Sequence, residues 1–278
     1  MRARCRSVRV NDVELCVYVN GEGPTVLLLH GFPDSMALWR YVIPVLEEAG
    51  YKVIAPDQRG FGESDAPRGA QNYRLRTLVS DAVGLLDQLD ISKAHLVAHD
   101  YGALVGWVLA GDHSERFYSY TTLSVGHPKA YATGGWEQKR RTWYRSFFRL
   151  PVVAETVLKT RNWMAFRKLV RNHPETSHWI KDLSRPGRLT AAINWYRANV
   201  AVLSNASAIS RVNIPVMGVW SSQDFVLAED QMMNSMRYVD STFRYARLEN
   251  CGHWIPLDVP GETTTLLLDF LAEHTTSE

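Results

Sequence analysis

The sequence predicts an α/β fold: a mostly parallel sheet with helices on both faces, interrupted once by an inserted helical lid. Short apolar runs alternate with longer stretches of helical periodicity on both sides of the chain's middle. The middle itself changes composition. Between Pro128 and Asn205 there are 15 Lys/Arg against 4 Asp/Glu, leaving 16 basic and 25 acidic residues elsewhere. The same stretch holds five of the nine tryptophans: Trp136, Trp143, Trp163, Trp179 and Trp195. A shift of that size marks a separate structural unit. It divides the chain into a first core part (1–126), a helical cap (127–207) and a second core part (208–278).

Glu14–Val19 reads as a strand, and the wholly apolar Val26–Leu29 as one buried on both faces, the parallel-sheet pattern. A helix is expected over Leu38–Ala49 and a strand over Lys52–Ala55, followed by a Gly-rich loop to Pro67. Leu75–Leu89 has helical spacing. Ala94–Ala98 is a strand, Ala103–Ala110 a helix and Ser119–Ser124 a strand ending at Gly126-His127-Pro128, where the basic segment begins. Beyond that segment, strands over Val216–Trp220 and Phe243–Leu248 flank a helix over Asp230–Tyr238, and Thr263–Leu271 closes the chain as a helix. Ligands on such sheets bind beyond the carboxyl ends of the strands, so the lid is expected to face them.

A hydrophobic content of 46% and a charged content of 22% fit a soluble globular chain long enough to bury a large core. No apolar run approaches a membrane span, and the Arg-rich N-terminus lacks the apolar stretch of a signal peptide. Cys5, Cys16 and Cys251 are scattered and odd in number, without metal-site spacing. They point to a reduced compartment, and so to a cytoplasmic protein. The densest basic stretch, Lys139–Arg149, interleaves aromatics with arginines. Nucleic acid or an anionic membrane surface would suit it, but it reads first as an amphipathic helix with aromatics inward and arginines solvated.

Four groups at strand ends carry the chemistry. Asp100 lies in Val97-Ala98-His99-Asp100-Tyr101-Gly102-Ala103, where small residues at 98 and 102 flank a sharp strand-to-helix turn that lifts one side chain clear. By itself it could be a helix N-cap. His253 follows the last strand, in Asn250-Cys251-Gly252-His253-Trp254, and Asp224 ends the strand before it, in Ser221-Ser222-Gln223-Asp224. The chain order Asp100, Asp224, His253 is that of nucleophile, acid and base, with Asp224 accepting the ring N–H of His253. The fourth group is the turn His30-Gly31-Phe32-Pro33 after the buried strand. There the Phe32 N–H can join that of Tyr101 to cradle an oxyanion.

These motifs, with Asp57-Gln58-Arg59-Gly60-Phe61-Gly62-Glu63-Ser64, resemble the α/β-hydrolase-fold epoxide hydrolases over nearly the whole chain. The turn at 30–33 and Gly252-His253-Trp254 are common to many α/β hydrolases. Aspartate at the elbow is confined mainly to epoxide hydrolases and dehalogenases. The resemblance implies a covalent Asp100 ester hydrolysed by a His253-activated water, with no cofactor and no metal. It also implies two lid tyrosines that hold the epoxide oxygen. Asn194-Trp195-Tyr196-Arg197 is similar to the motif carrying one, which assigns Tyr196. Tyr144 or Tyr131 is the second, with Tyr144 preferred. The implied partners are water and a small hydrophobic epoxide, including epoxy fatty acids that a basic lid would steer; no nucleic acid and no transmembrane segment is expected, and the chain would act as a monomer or homodimer.

A carboxylate suits that chemistry because it can displace at saturated carbon when the leaving group is strained or activated, as a serine does at acyl carbon. Haloalkane and haloacid dehalogenases use the same nucleophile. Their halide or carboxylate donors include a Trp or Arg directly after it, where this chain has Tyr101. Tyr101 also departs from the Trp usual in epoxide hydrolases. A non-catalytic hydrolase-fold binding protein or receptor is the alternative of another class, and it would be expected to have lost a member of the triad or the oxyanion turn.

Overall fold

A computed structural model of the chain describes residues 5–200 and 209–275. Its sheet has eight strands in the order β1-β2-β4-β3-β5-β6-β7-β8: β1 Cys5–Val10, β2 Val13–Asn20, β3 Thr25–Leu29, β4 Lys52–Pro56, β5 Ala94–His99, β6 Phe117–Leu123, β7 Val216–Ser221 and β8 Phe243–Leu248. β2 runs antiparallel to β1 and β4, and every pairing from β4 to β8 is parallel. The parallel strands β3, β5 and β7 are buried at every position, as their apolar composition requires in a sheet covered on both faces.

Core helices cover that sheet: α1 Val42–Glu48, α2 Leu75–Gln88 and α3 Tyr101–Asp112 in the first part. Among the described residues between β6 and β7 lie six more, α4 Pro128–Ala132, α5 Trp136–Arg141, α6 Tyr144–Phe148, α7 Val153–Leu169, α8 Thr176–Leu183 and α9 Arg188–Ala198. α10 Glu229–Met233, α11 Ile255–Asp258 and α12 Pro260–His274 follow. α7 is broken at Thr160–Trp163, where Arg161, Asn162 and Trp163 take positive φ. The expected cap boundary at 207 lies outside the described residues.

Two expectations need correction, and one strand was not foreseen. The Arg-rich start forms β1, whose pattern of exposed arginines gave no alternation to read. Pairing β1 with β2 brings Cys5 and Cys16 into a disulfide, which withdraws the cysteine argument for a reduced compartment; Cys251 is free and buried. The stretch at 139–149 is two short helices rather than one. Trp143 faces outward, whereas the Arg141 guanidinium turns inward to the carbonyls of Asp224 and Leu227. Two backbone carbonyls converging on one guanidinium hold it there in place of water. No helix among the described residues is long and apolar enough to cross a membrane.

The Asp57–Ser64 loop is structural. Asp57 accepts the N–H of Met36 and of Glu63, each at 2.8 Å, and buried Arg59 is tied to Asp81 at 2.7 Å and Asp12 at 2.6 Å. Trp195 Nε1–H donates to the Arg59 carbonyl at 3.0 Å, so this loop also anchors α9.

Candidate active site

β5 delivers Asp100 to the turn before α3 with φ 49° and ψ −121°, a strained conformation that points its carboxylate away from the sheet. The turn is tight enough that only glycine fits beside it. A Cβ on Gly102 would overlap the carbonyls of Leu29 and His30, and one on Gly31 would overlap the Asp100 side chain. Asp100 is not a helix cap: its side chain makes no capping bond to α3.

The Phe32 N–H donates to Asp100 Oδ1 at 2.7 Å, and the nearby Tyr101 N–H helps to lower the Asp100 pKa. Both expected oxyanion donors therefore converge on one oxygen-binding corner. The Phe32–Pro33 peptide is cis. His30 supports the turn from below, its Nε2 accepting the Gln58 N–H at 2.9 Å. Burial lowers its pKa to about 4, so it stays neutral.

The loop after β8 carries His253 back to the same place. Its Nδ1 lies 2.9 Å from Asp224 Oδ2 and its Nε2 3.4 Å from Asp100 Oδ2. The other Asp224 oxygen accepts the N–H groups of Val226 and Leu227 at 2.7 and 2.9 Å, which fixes the carboxylate plane. Burial opposes charge on His253, but Asp224 and Asp100 outweigh it and raise its pKa to about 10. Burial likewise opposes charge on Asp100, and the His253 imidazolium overcomes it and lowers the pKa. The resting pair is thus an ion pair, and removing the charge on Asp100 favours a neutral His253.

Asp100, His253 and Asp224 open onto a cavity of about 1150 Å³ lined from the lid side by Tyr144 and Tyr196. The two rings meet edge to face with centroids 5.9 Å apart. Burial, then the nearby Asp100 charge, raises both phenol pKa values, so both hydroxyls keep their protons. Tyr196 also packs on Phe32 and Tyr101, at 5.7 and 5.0 Å between centroids.

A family profile for the alpha/beta hydrolase fold matches residues 24–260. The chain is 31% identical to the AB hydrolase superfamily protein YfhM of Bacillus subtilis, over 96% of this chain and 98% of that one. It is 30% identical to epoxide hydrolase 3 of Xenopus tropicalis, over 90% of this chain and 72% of that protein. The crystal structure of epoxide hydrolase A from Mycobacterium thermoresistibile superposes with a TM-score of 0.83 at 29% identity, covering 98% of this chain and 99% of that one. The chain belongs to the epoxide hydrolase family of the alpha/beta hydrolase fold.

Within this epoxide hydrolase family member, Tyr131 is set apart from the other two tyrosines. Arg145 donates to its hydroxyl, and it lines not the main cavity but a smaller adjoining pocket that Asp100, Tyr144 and Tyr196 also border. Tyr101, the departure from the family's usual Trp, has a local explanation. Its hydroxyl donates to the Trp195 carbonyl at 2.6 Å and so ties the elbow to α9. Sequence reasoning missed His99 as a support: it donates from Nε2 to the His253 carbonyl at 2.8 Å, and burial keeps its pKa near 4. It also missed Phe225, Trp254, Lys168 and Arg171 on the cavity wall. Only Trp254, adjacent to His253, carried a sequence signal.

Proposed function

We infer that this protein is an epoxide hydrolase that forms a vicinal diol through an ester on Asp100. The observation that carries this reading is a carboxylate at the elbow, backed by His253 and Asp224, facing the phenols of Tyr144 and Tyr196 across one cavity. With Oδ1 held by the Phe32 N–H, Oδ2 is the oxygen left to attack an epoxide carbon. The ring C–O bond breaks, and Tyr196 or Tyr144 gives its proton to the alkoxide. Esterification neutralises Asp100 and removes one of the two carboxylates that hold the proton on His253. The imidazolium then gives up its proton to solvent while the tyrosinate takes one back, and the neutral imidazole can take a proton from water as the hydroxide adds to the ester carbonyl. The Phe32 and Tyr101 N–H groups bind the resulting oxyanion. Collapse expels the diol oxygen, which takes the proton from His253, and the carboxyl proton on Asp100 then passes to His253, which restores the ion pair. The sum is epoxide plus water to diol.

We further propose that residues 127–207 act as the lid and that hydrophobic epoxides bearing an acid group, such as epoxy fatty acids, suit the cavity. Phe147, Val157, Leu158 and Leu169 give it apolar walls, and Arg140, Lys168 and Arg171 line it as well. The decisive experiment offers the protein a styrene-type epoxide and, separately, a bromoalkane, and measures diol and bromide. Diol without bromide is expected. Bromide without diol would make it a dehalogenase, and neither product across broad panels would favour a binding protein.

A further inference from the structure

Seven of the ten exposed large hydrophobic side chains in the described chain fall within residues 136–164. Trp136 is 78% exposed, Trp143 62% and Val152 74%, with Leu150, Val153 and Val157 among the rest. Val152 is a β-branched residue held at φ 66°, so an unfavourable backbone presents this apolar side chain to the outside. The same 29 residues carry seven Lys/Arg and two Asp/Glu. Both acids are already neutralised, Glu137 by Arg141 and Glu155 by Arg197 at 2.7 Å. Lys139, Arg140, Arg149 and Lys159 are exposed and have no acidic partner among the described residues. The patch is continuous with the cavity, because Arg140, Trp143 and Val157 belong to both.

Exposed apolar groups among unpaired cations select one kind of occupant. A second copy of the same patch would bring like charges together. Nucleic acid would satisfy the cations but leave the aliphatic side chains against phosphate and water. An anionic bilayer satisfies both, since tryptophan favours the headgroup level, aliphatic side chains enter the acyl boundary, and lysines and arginines meet anionic headgroups. We propose that this face of the lid docks on an anionic lipid surface, with the cavity mouth turned toward the bilayer. A substrate dissolved in lipid then reaches Asp100 without crossing water; that second half rests on the epoxide hydrolase reading, the docking does not.

The test uses the full chain and extruded phosphatidylcholine vesicles with and without about one-third phosphatidylglycerol. Binding is read by co-sedimentation and by the tryptophan emission shift. The expectation is roughly tenfold tighter association with the anionic vesicles, falling as salt rises. The variants Trp136→Ser/Val152→Asn and Lys139→Glu/Arg149→Glu should each lose most of it; asparagine tolerates the positive φ at 152. Their thermal midpoints and their diol formation from a small water-soluble epoxide are expected to match the parent. No association with anionic vesicles, equal association with neutral ones, or a patch-dependent dimer without lipid binding would overturn the proposal. Vesicle binding without diol formation in the parent would sink the functional reading and leave the docking intact.

Discussion

The Nε2 of His253 lies 3.4 Å from Oδ2 of Asp100. The imidazole is therefore paired with the carboxylate on which the proposed ester would form. Removing the imidazole should stop the second half of the reaction and leave the first.

In His253→Gln, an epoxide is expected to leave a stable adduct whose mass equals that of the epoxide, on the peptide containing Asp100. Intact-mass and peptide mass spectrometry read it directly. An adduct on another residue, or one that persists in Asp100→Ala, would remove Asp100 from the nucleophile's role.

The ion pair also fixes a pH pattern. The His253 pKa is raised to about 10, above its ordinary value near 6.5, so its share of stability is complete below about 6.5 and is lost as pH rises through about 10. The Asp100 pKa is lowered, so its share is present above the usual carboxylate range and lost as pH falls through the depressed value. Ester formation, which needs ionised Asp100, should be flat between about pH 5 and 9. Ester hydrolysis, which needs neutral His253, should rise with pH through a pKa below 10, because esterification has removed one carboxylate. Rapid-quench measurement of the two steps separates them. In Asp100→Asn, the His253 titration followed by NMR should also drop below 10; a value unchanged from the parent would mean that Asp224 alone sets it.

Most of this site is legible in the chain because each member sits directly after a strand. A strand of apolar residues fixes its own position in a covered sheet, and the turn that follows inherits it. That is why Asp100, Asp224, His253 and Phe32 come together as their sequence contexts imply. The lid offers no such frame. Short helices such as Tyr144–Phe148 bury only one or two side chains each, so spacing does not decide that Tyr144 faces the cavity while Tyr131 is held by Arg145. β1 was illegible for a related reason. It is an edge strand whose exposed arginines conceal its period, and with it the Cys5–Cys16 pairing.

The tyrosines give the lid assignment a direct test. Tyr196→Phe and Tyr144→Phe should each slow ester formation by about tenfold or more, and the double variant by about 10²–10⁴-fold, the usual worth of general acid catalysis. Tyr131→Phe should change it by less than about threefold, since Tyr131 does not line the main cavity. Single-turnover rates compare the four. A larger loss for Tyr131→Phe than for Tyr144→Phe would exchange their roles.

The closeness of β3 to the elbow predicts a stability cost. Gly102→Ala places a methyl group against the carbonyls of Leu29 and His30, so α3 has to back away from β3. A loss of about 1–3 kcal/mol is expected, the range for overpacking. Gly261→Ala, where nothing lies within 4 Å, should leave stability unchanged or raise it, as alanine does within a helix. Urea unfolding of both variants, with the slope held common, makes the comparison.

Lys168 and Arg171 bring the lid's charge to bear on substrate choice. Both line the cavity that holds Asp100. The Arg171 guanidinium sits 4.2 Å above the Phe225 ring, which holds its charge at the wall with no neutralising acid among the described residues. An epoxide with a carboxylate at the end of an apolar chain would meet these cations while its ring reaches Asp100. For such an acid, kcat/KM should fall steeply between low and moderate salt, whereas its neutral methyl ester should show little change. Lys168→Gln/Arg171→Gln should reduce kcat/KM for the acid by about tenfold through KM, with kcat nearly unchanged, because the contact is made equally in the bound and transition states. Equal salt dependence for acid and ester would show that these cations do not read the substrate and would leave chain length and shape to set its identity.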